Sequence, residues 1–173
     1  MYKLSKEPLL TESQIETRLK SLAQELKACD FDVILSALTG SYIFTADISR
    51  RIAKPHLQIA FIKATSYGDS TESSGKVKIS GLGNLDIKDK RVLLIDDILD
   101  TGNTMKSLVK ALAELGPASI KTCVLLNKES RRTVDCHADF VGFEIENKFV
   151  VGYGLDYSNE YRTLPEIWTL EEV

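Results

Sequence analysis

Apolar positions along the chain follow two rhythms. Ile15, Leu19, Leu22, Ala23 and Leu26 recur at helical spacing after Thr11-Glu12-Ser13-Gln14, whose hydroxyl and amide have capping-box spacing. The pattern predicts a helix that ends near Asp30. A second helix is predicted from Tyr42 to about Ile52. A third carries Met105, Leu108, Val109, Leu112 and Leu115 and is stopped by Gly116-Pro117. Between them lie short, mostly apolar stretches at residues 31–38, 57–64, 91–95, 120–126 and 139–145, continuous from Val92 to Ile95. Such runs read as strands covered on both faces, as in a parallel sheet. Lys76 to Ser80 alternates Val77 and Ile79 with polar residues, as an exposed hairpin strand would. Strands alternating with helices predict an α/β architecture, with a complete βαβ unit over residues 91–126.

Composition narrows the class without naming a chemistry. A chain of 173 residues suits one domain, burying about 70% of its unfolded surface. Its 43% apolar and 27% charged residues are those of an ordinary globular protein. A net charge of −3 argues against a broad nucleic-acid surface. An anionic ligand would therefore be held by local backbone dipoles and metal ions. No apolar run approaches the ~20 residues of a membrane span, and Met1-Tyr2-Lys3-Leu4 lacks a signal-peptide core. Cys29, Cys123 and Cys136 are odd in number and widely spaced, and His137 beside Cys136 makes at most half a zinc site. A reducing cytoplasm is the expected setting, with Cys123 a small core residue.

The chemistry concentrates in residues 91–104. An apolar strand ends in Asp96 and Asp97, then Asp100, Thr101, Gly102, Asn103 and Thr104 lead into a helical pattern. Open α/β sheets bind ligands at such strand ends, where helix N-terminal N–H groups favour anions. Asp96 and Asp97 suit the adjacent hydroxyls of a sugar or a divalent cation. Asp100 suits a helix cap or a proton acceptor. Thr39-Gly40-Ser41 closes a second strand–loop–helix unit that can offer N–H groups to another anion. A P-loop is excluded, since no G-x-x-x-x-G-K-[ST] occurs.

The run Leu93 to Thr104 resembles the phosphoribosyl pyrophosphate-binding motif of type I phosphoribosyltransferases. Further segments narrow the resemblance to the hypoxanthine (hypoxanthine-guanine) branch, over roughly residues 8 to 170. It implies a Rossmann-like central parallel sheet flanked by helices, with a small hood and a flexible lid. The whole chain, 1–173, would be one domain. The lid would span about 65–80, and the base-binding hood about 128–173 together with the N-terminal segment.

The resemblance also implies roles. Asp96 and Asp97 would orient ribose hydroxyls, and Thr101, Gly102, Asn103 and Thr104 would hold the 5′-phosphate. Asp100 would exchange a proton with purine N7. Leu38, Thr39 and Gly40 would bind pyrophosphate through a loop that often has a cis peptide after Leu38, with Arg162, Ser66 and Tyr67 assisting. Relatives usually carry lysine or arginine where this chain has Thr39. Lys128 would donate to a purine O6, a contact that rejects adenine. Phe149 would stack on the base, Val150 would offer its backbone, and Asp156 would lie beside base and metal. Arg131 and Arg132 are expected on the surface.

The implied reaction is Mg²⁺-dependent purine salvage: transfer of phosphoribose to N9 of hypoxanthine, and of guanine, giving IMP or GMP and pyrophosphate. Asp96, Asp97 and Asp156 are the expected magnesium ligands. The implied partners are small substrates and further copies of the chain, as homodimer or homotetramer, with no nucleic acid and no membrane. Two rivals share the fold: a non-catalytic regulatory protein, and a transferase for xanthine or a pyrimidine.

Overall fold

The computed structural model describes residues 2–66 and 77–172. Six strands form the main sheet: β2 (Val33–Leu38), β3 (Gln58–Ser66), β4 (Val77–Ser80), β5 (Arg91–Leu99), β6 (Ser119–Asn127) and β7 (Phe140–Glu144). Their order is β4-β3-β2-β5-β6-β7, parallel throughout except for the edge strand β4. Helices α1 (Glu12–Lys27) and α2 (Tyr42–Ile52) cover one face and α3 (Asn103–Ala113) the other. Leu93 and Ile95 pack toward α1 and α2, while Val92 and Leu94 pack toward α3. That alternation explains why the strand reads as an unbroken apolar run. No helix among the described residues is long and apolar enough to cross a membrane.

Local signals explain the element ends. Thr11 and Gln14 form the predicted capping box, and all five periodic residues of α1 are buried. This helix stops at Lys27 rather than near Asp30, because the chain turns at Ala28 and Cys29 donates back to Leu26. β2 starts at Val33 rather than Phe31, and Asp32 instead takes the backbone and guanidinium N–H groups of Arg91. Of the loop expected at 65–80, residues 65–66 and 77–80 are strand, paired antiparallel. The remaining lid residues, Tyr67 included, lie outside the described residues, as does the side chain of Ser66.

A second, three-stranded sheet has the order β1-β9-β8, built from β1 (Tyr2–Leu4), β8 (Val150–Val151) and β9 (Trp168–Glu172). It joins the N-terminal segment to the end of the chain. It is narrower than the span 128–173 suggested, since residues 140–144 complete the main sheet beside β6.

The main sheet is irregular at its carboxyl edge. β2 pairs with β5 only from Val33–Val92 to Ser36–Ile95. Its pairing with β3 runs on to Leu38–Lys63, and β5 pairs with β6 as far as Leu99–Asn127. β2 and β5 therefore part at that edge. This is the point where strand order reverses, the usual crevice for ligands in such sheets.

Candidate active site

A cavity of about 340 Å³ fills the parting between β2 and β5. Its walls include Leu38, Thr39 and Gly40 after β2, the tip of β5 from Asp96 to Leu99, and the turn Asp100 to Gly102 with Thr104. Asp156 and Arg162 close the remaining side. Eleven of the residues singled out from sequence thus share one space, drawn from three separate stretches.

The floor is acidic. Asp96 is buried, and its Oδ1 accepts the Asp97 N–H at 2.9 Å. Burial, and then the charge of Asp97, push the Asp96 carboxyl well above the usual carboxylate range. Burial also raises Asp97, against hydrogen bonds and the more distant Arg162 that favour its ionised form. Asp97 Oδ1 accepts the Ile98 N–H at 2.8 Å. Its other oxygen lies against Gly40, where an added Cβ would come within 1.7 Å of it.

The Leu38–Gly40 loop is fixed from behind. The Leu38–Thr39 peptide is cis, as the resemblance implied. Ser41 Oγ donates to Ala37 O at 2.6 Å and meets Ser36 Oγ at 2.9 Å, which in turn meets Thr45 Oγ1 at 2.8 Å. These three buried hydroxyls tie the loop to β2 and to α2. Sequence reading gave them no role, because isolated Ser and Thr carry no periodic signal.

Helix α3 begins without a side-chain cap. Gly102 is its N-cap at φ 90° and supplies no side chain; Thr101 Oγ1 accepts the Asn103 N–H at 3.4 Å, and Asp100 does not cap the helix. The remaining N–H groups of its first turn have no intrahelical acceptor, the arrangement that suits helix N-termini to anions. The Asn103 side chain turns instead toward Thr101 and Thr133 and is not a cavity wall.

Asp100 points to a cationic cluster. Arg131 Nε donates to Asp100 Oδ1 at 3.1 Å, and Lys128 Nζ stands 3.9 Å from Oδ2. Lys128 is only 6% exposed, and burial lowers its pKa. Arg132 is not a surface residue as expected: its guanidinium donates to the Asp100 carbonyl and to Asn127 Oδ1. Its stem lies against Gly102, where a Cβ would approach Arg132 Cδ to 3.0 Å. Two consecutive arginines after a strand give no sequence cue that one folds inward.

Phe149, Val150 and Lys128 are not among the residues that line the cavity; Lys128 reaches it only through Asp100. Phe149 is 53% exposed, so it is not a core aromatic; Tyr157 meets its ring edge-on at 5.7 Å between centroids. The Phe149 carbonyl accepts Leu170 N–H at 3.0 Å. In an antiparallel ladder the next residue points its backbone groups the other way, so the N–H and C=O of Val150 face the free edge of β8. Asp156 Oδ1 pairs with Arg162 at 2.9 Å, and Arg162 also donates to Gly154 O at 2.7 Å.

Comparison with known proteins agrees with this geometry. A family model described as Phosphoribosyl transferase domain matches residues 7–158. The hypoxanthine-guanine phosphoribosyltransferase of Aquifex aeolicus is 44% identical over 168 residues, covering 95% of this chain and 94% of that protein. The hypoxanthine phosphoribosyltransferase of Escherichia coli is 38% identical, with 93% of each chain covered. The crystal structure of a hypoxanthine phosphoribosyltransferase from Staphylococcus aureus superimposes with a TM-score of 0.87 at 41% identity, covering 96% of this chain and 91% of that one. The chain belongs to the phosphoribosyltransferase family, in its hypoxanthine phosphoribosyltransferase branch.

Proposed function

We propose that the protein transfers the phosphoribosyl group of phosphoribosyl pyrophosphate to N9 of hypoxanthine, and of guanine, releasing pyrophosphate. The observation that carries the reading is the single cavity in which an uncapped helix N-terminus, a carboxylate pair and the Leu38–Gly40 loop converge. The amides at 101–104 receive the 5′-phosphate, with the helix dipole adding to their pull. Asp96 and Asp97 accept hydrogen bonds from the ribose hydroxyls. Leu38–Gly40 and Arg162 take the pyrophosphate, Arg162 exchanging its ion pair with Asp156 for a charge-assisted contact. The smaller sheet forms the hood: the base stacks on Phe149, meets the free backbone edge of Val150 and receives Lys128 at O6. Backbone carbonyls read the guanine 2-amino group. Asp100, beside Lys128, holds or takes the N7 proton as N9 attacks C1′ and the C1′–oxygen bond to pyrophosphate breaks.

The donor set suits magnesium. Asp96, Asp97 and Asp156 supply hard carboxylate oxygens, and all three line the cavity. No three metal-ligating side chains converge among the described residues. A magnesium ion there would be held by one or two carboxylates together with substrate oxygens and water. When bound, the ion neutralises charge on the departing pyrophosphate.

The protein would work in the cytoplasm, where its three free cysteines stay reduced. It would assemble as a homodimer or homotetramer. Ile59 and Phe61 support that assembly: they are exposed on β3, alternating with Ala60 and Ile62, which pack toward α3. Light scattering should then give two or four times 19.3 kDa.

The test of function is nucleotide formation from phosphoribosyl pyrophosphate and Mg²⁺ with hypoxanthine, guanine, xanthine and adenine in parallel. Turnover of hypoxanthine with adenine inert is expected. Donor binding without turnover of any base would favour the regulatory rival, and preferential use of xanthine would favour the other.

A further inference from the structure

Tyr153 is a buried phenol that the proposed reaction leaves unused. It stands in Gly152-Tyr153-Gly154, whose three residues all have positive φ: 96°, 50° and 101°. Both flanking glycines are required by close backbone approach. A Cβ at Gly152 would lie 2.1 Å from Glu166 O, and one at Gly154 would lie 2.2 Å from Gly40 O. The turn therefore presses directly on the loop that follows β2. Tyr153 is 6% exposed, its N–H donates to Leu164 O at 2.8 Å, and its hydroxyl donates to Asp47 Oδ2. Asp47 lies on the second turn of α2, the helix that starts two residues after Gly40, and its Oδ1 accepts from Arg50. Burial and the bond to Asp47 raise the phenol pKa, so the O–H remains a donor.

Downstream of this turn, Gly154 N–H donates to Arg162 O at 2.9 Å, Arg162 donates to Gly154 O at 2.7 Å, and Arg162 pairs with Asp156. The places of Asp156 and Arg162 thus depend on the place of the turn. We propose that Tyr153 and Asp47 are positioning residues forming a tether, which fixes the Asp156–Arg162 wall of the cavity against the Leu38–Gly40 wall and so sets the width of the pyrophosphate subsite. The tether rests on the phosphoribosyltransferase reading of the cavity. The Tyr153 ring packs in the core on the α1–α2 face of the sheet, but its hydroxyl bond to Asp47 is neither a ligand contact nor required by that apolar packing.

Two ligands separate its effects. Phosphoribosyl pyrophosphate spans both walls, whereas ribose 5-phosphate occupies only the β5–α3 side. Calorimetric titration of each, with Mg²⁺, should show that Tyr153→Phe weakens the pyrophosphate donor about tenfold, the worth of one hydrogen bond to a charged group. Ribose 5-phosphate affinity should stay within about twofold of wild type. KM for the donor should rise with Kd while kcat changes less. Asp47→Ala should match Tyr153→Phe, and the double variant should be no worse than either alone. Asp47→Asn, which keeps an acceptor, should bind the donor as wild type does. Tyr153→Phe retains the ring, so it carries the test even if Asp47→Ala does not fold. A lowered Tm with unchanged donor affinity would reduce the pair to a structural contact and overturn the proposal, as would equal weakening of both ligands. Wild-type protein that binds neither sugar phosphate would instead sink the parent reading.

Discussion

Substituting Gly40 by alanine probes the tightest contact in the cavity. The added Cβ would lie 1.7 Å from Asp97 Oδ2 and 2.8 Å from its Cγ, where ordinary contact begins near 3.4 Å. More than an ångström of separation must come from one side. The loop has little freedom to give it, because Ser41 binds Ala37 O at 2.6 Å and Gly154 packs on Gly40 O from the other flank. The Asp97 side chain is short and borders open cavity, so it rotates and gives up the Ile98 N–H. Losing one charge-assisted hydrogen bond costs about 1–3 kcal/mol. In a chain of this size that is a fall in Tm of roughly 2–10 °C. On the proposed role of Asp97, displacing its carboxylate from the ribose hydroxyls by about 1 Å costs on the order of 10²-fold in rate. The assay is kcat/KM for the pyrophosphate donor at saturating hypoxanthine, beside thermal unfolding. The expected result is a folded variant with that deep loss of rate. Activity within about threefold of wild type would refute the claim that Asp97 is placed there for the reaction.

Other outcomes rest on the same geometry. Asp96 has a folded-state pKa raised above its unfolded value, so its contribution favours folding at low pH and is lost as pH rises through the folded pKa. Asp96→Asn should therefore raise the ligand-free Tm at neutral pH, give little gain near pH 4, and lower kcat/KM about 10–100-fold; a lowered neutral-pH Tm would contradict this. Phe149→Ala should raise KM for the base about 10–100-fold by removing a stacking face, with donor KM nearly unchanged in initial-rate assays. Asp100→Ala should lower kcat by about 10²–10⁴ in the same assay; near-wild-type turnover would remove it from proton transfer. Arg18 donates to the carbonyls of Val141 and Gly142 at 2.8 Å each, closing the edge strand β7. Arg18→Met should cost about 1–3 kcal/mol in denaturant unfolding and leave kcat intact.

Periodicity made the layers legible. The stripe of α1, the bounds of α2 and the double-faced burial of β5 all reflect the spacing of apolar residues, since burial on one face or two imposes that spacing. The cluster from Asp96 to Thr104 was legible because strand, turn and helix start lie consecutively in sequence. Contacts between distant segments were not. The packing of Gly40 against both Asp97 and Gly154, the inward fold of Arg132 and the Tyr153–Asp47 bond depend on close approach across elements. No local pattern encodes such approach. The bounds of β2 and of the second sheet shifted for the same reason: Asp32 answers to Arg91, and residues 140–144 answer to β6.

The most direct test of the proposed reaction is the position of inosine monophosphate in a crystal of the protein. The geometry predicts the phosphate on the amides of residues 101–104, the ribose hydroxyls facing Asp96 and Asp97, and the purine on Phe149 with O6 toward Lys128. A nucleotide bound elsewhere, or bound here with its base turned away from Phe149 and Lys128, would contradict it.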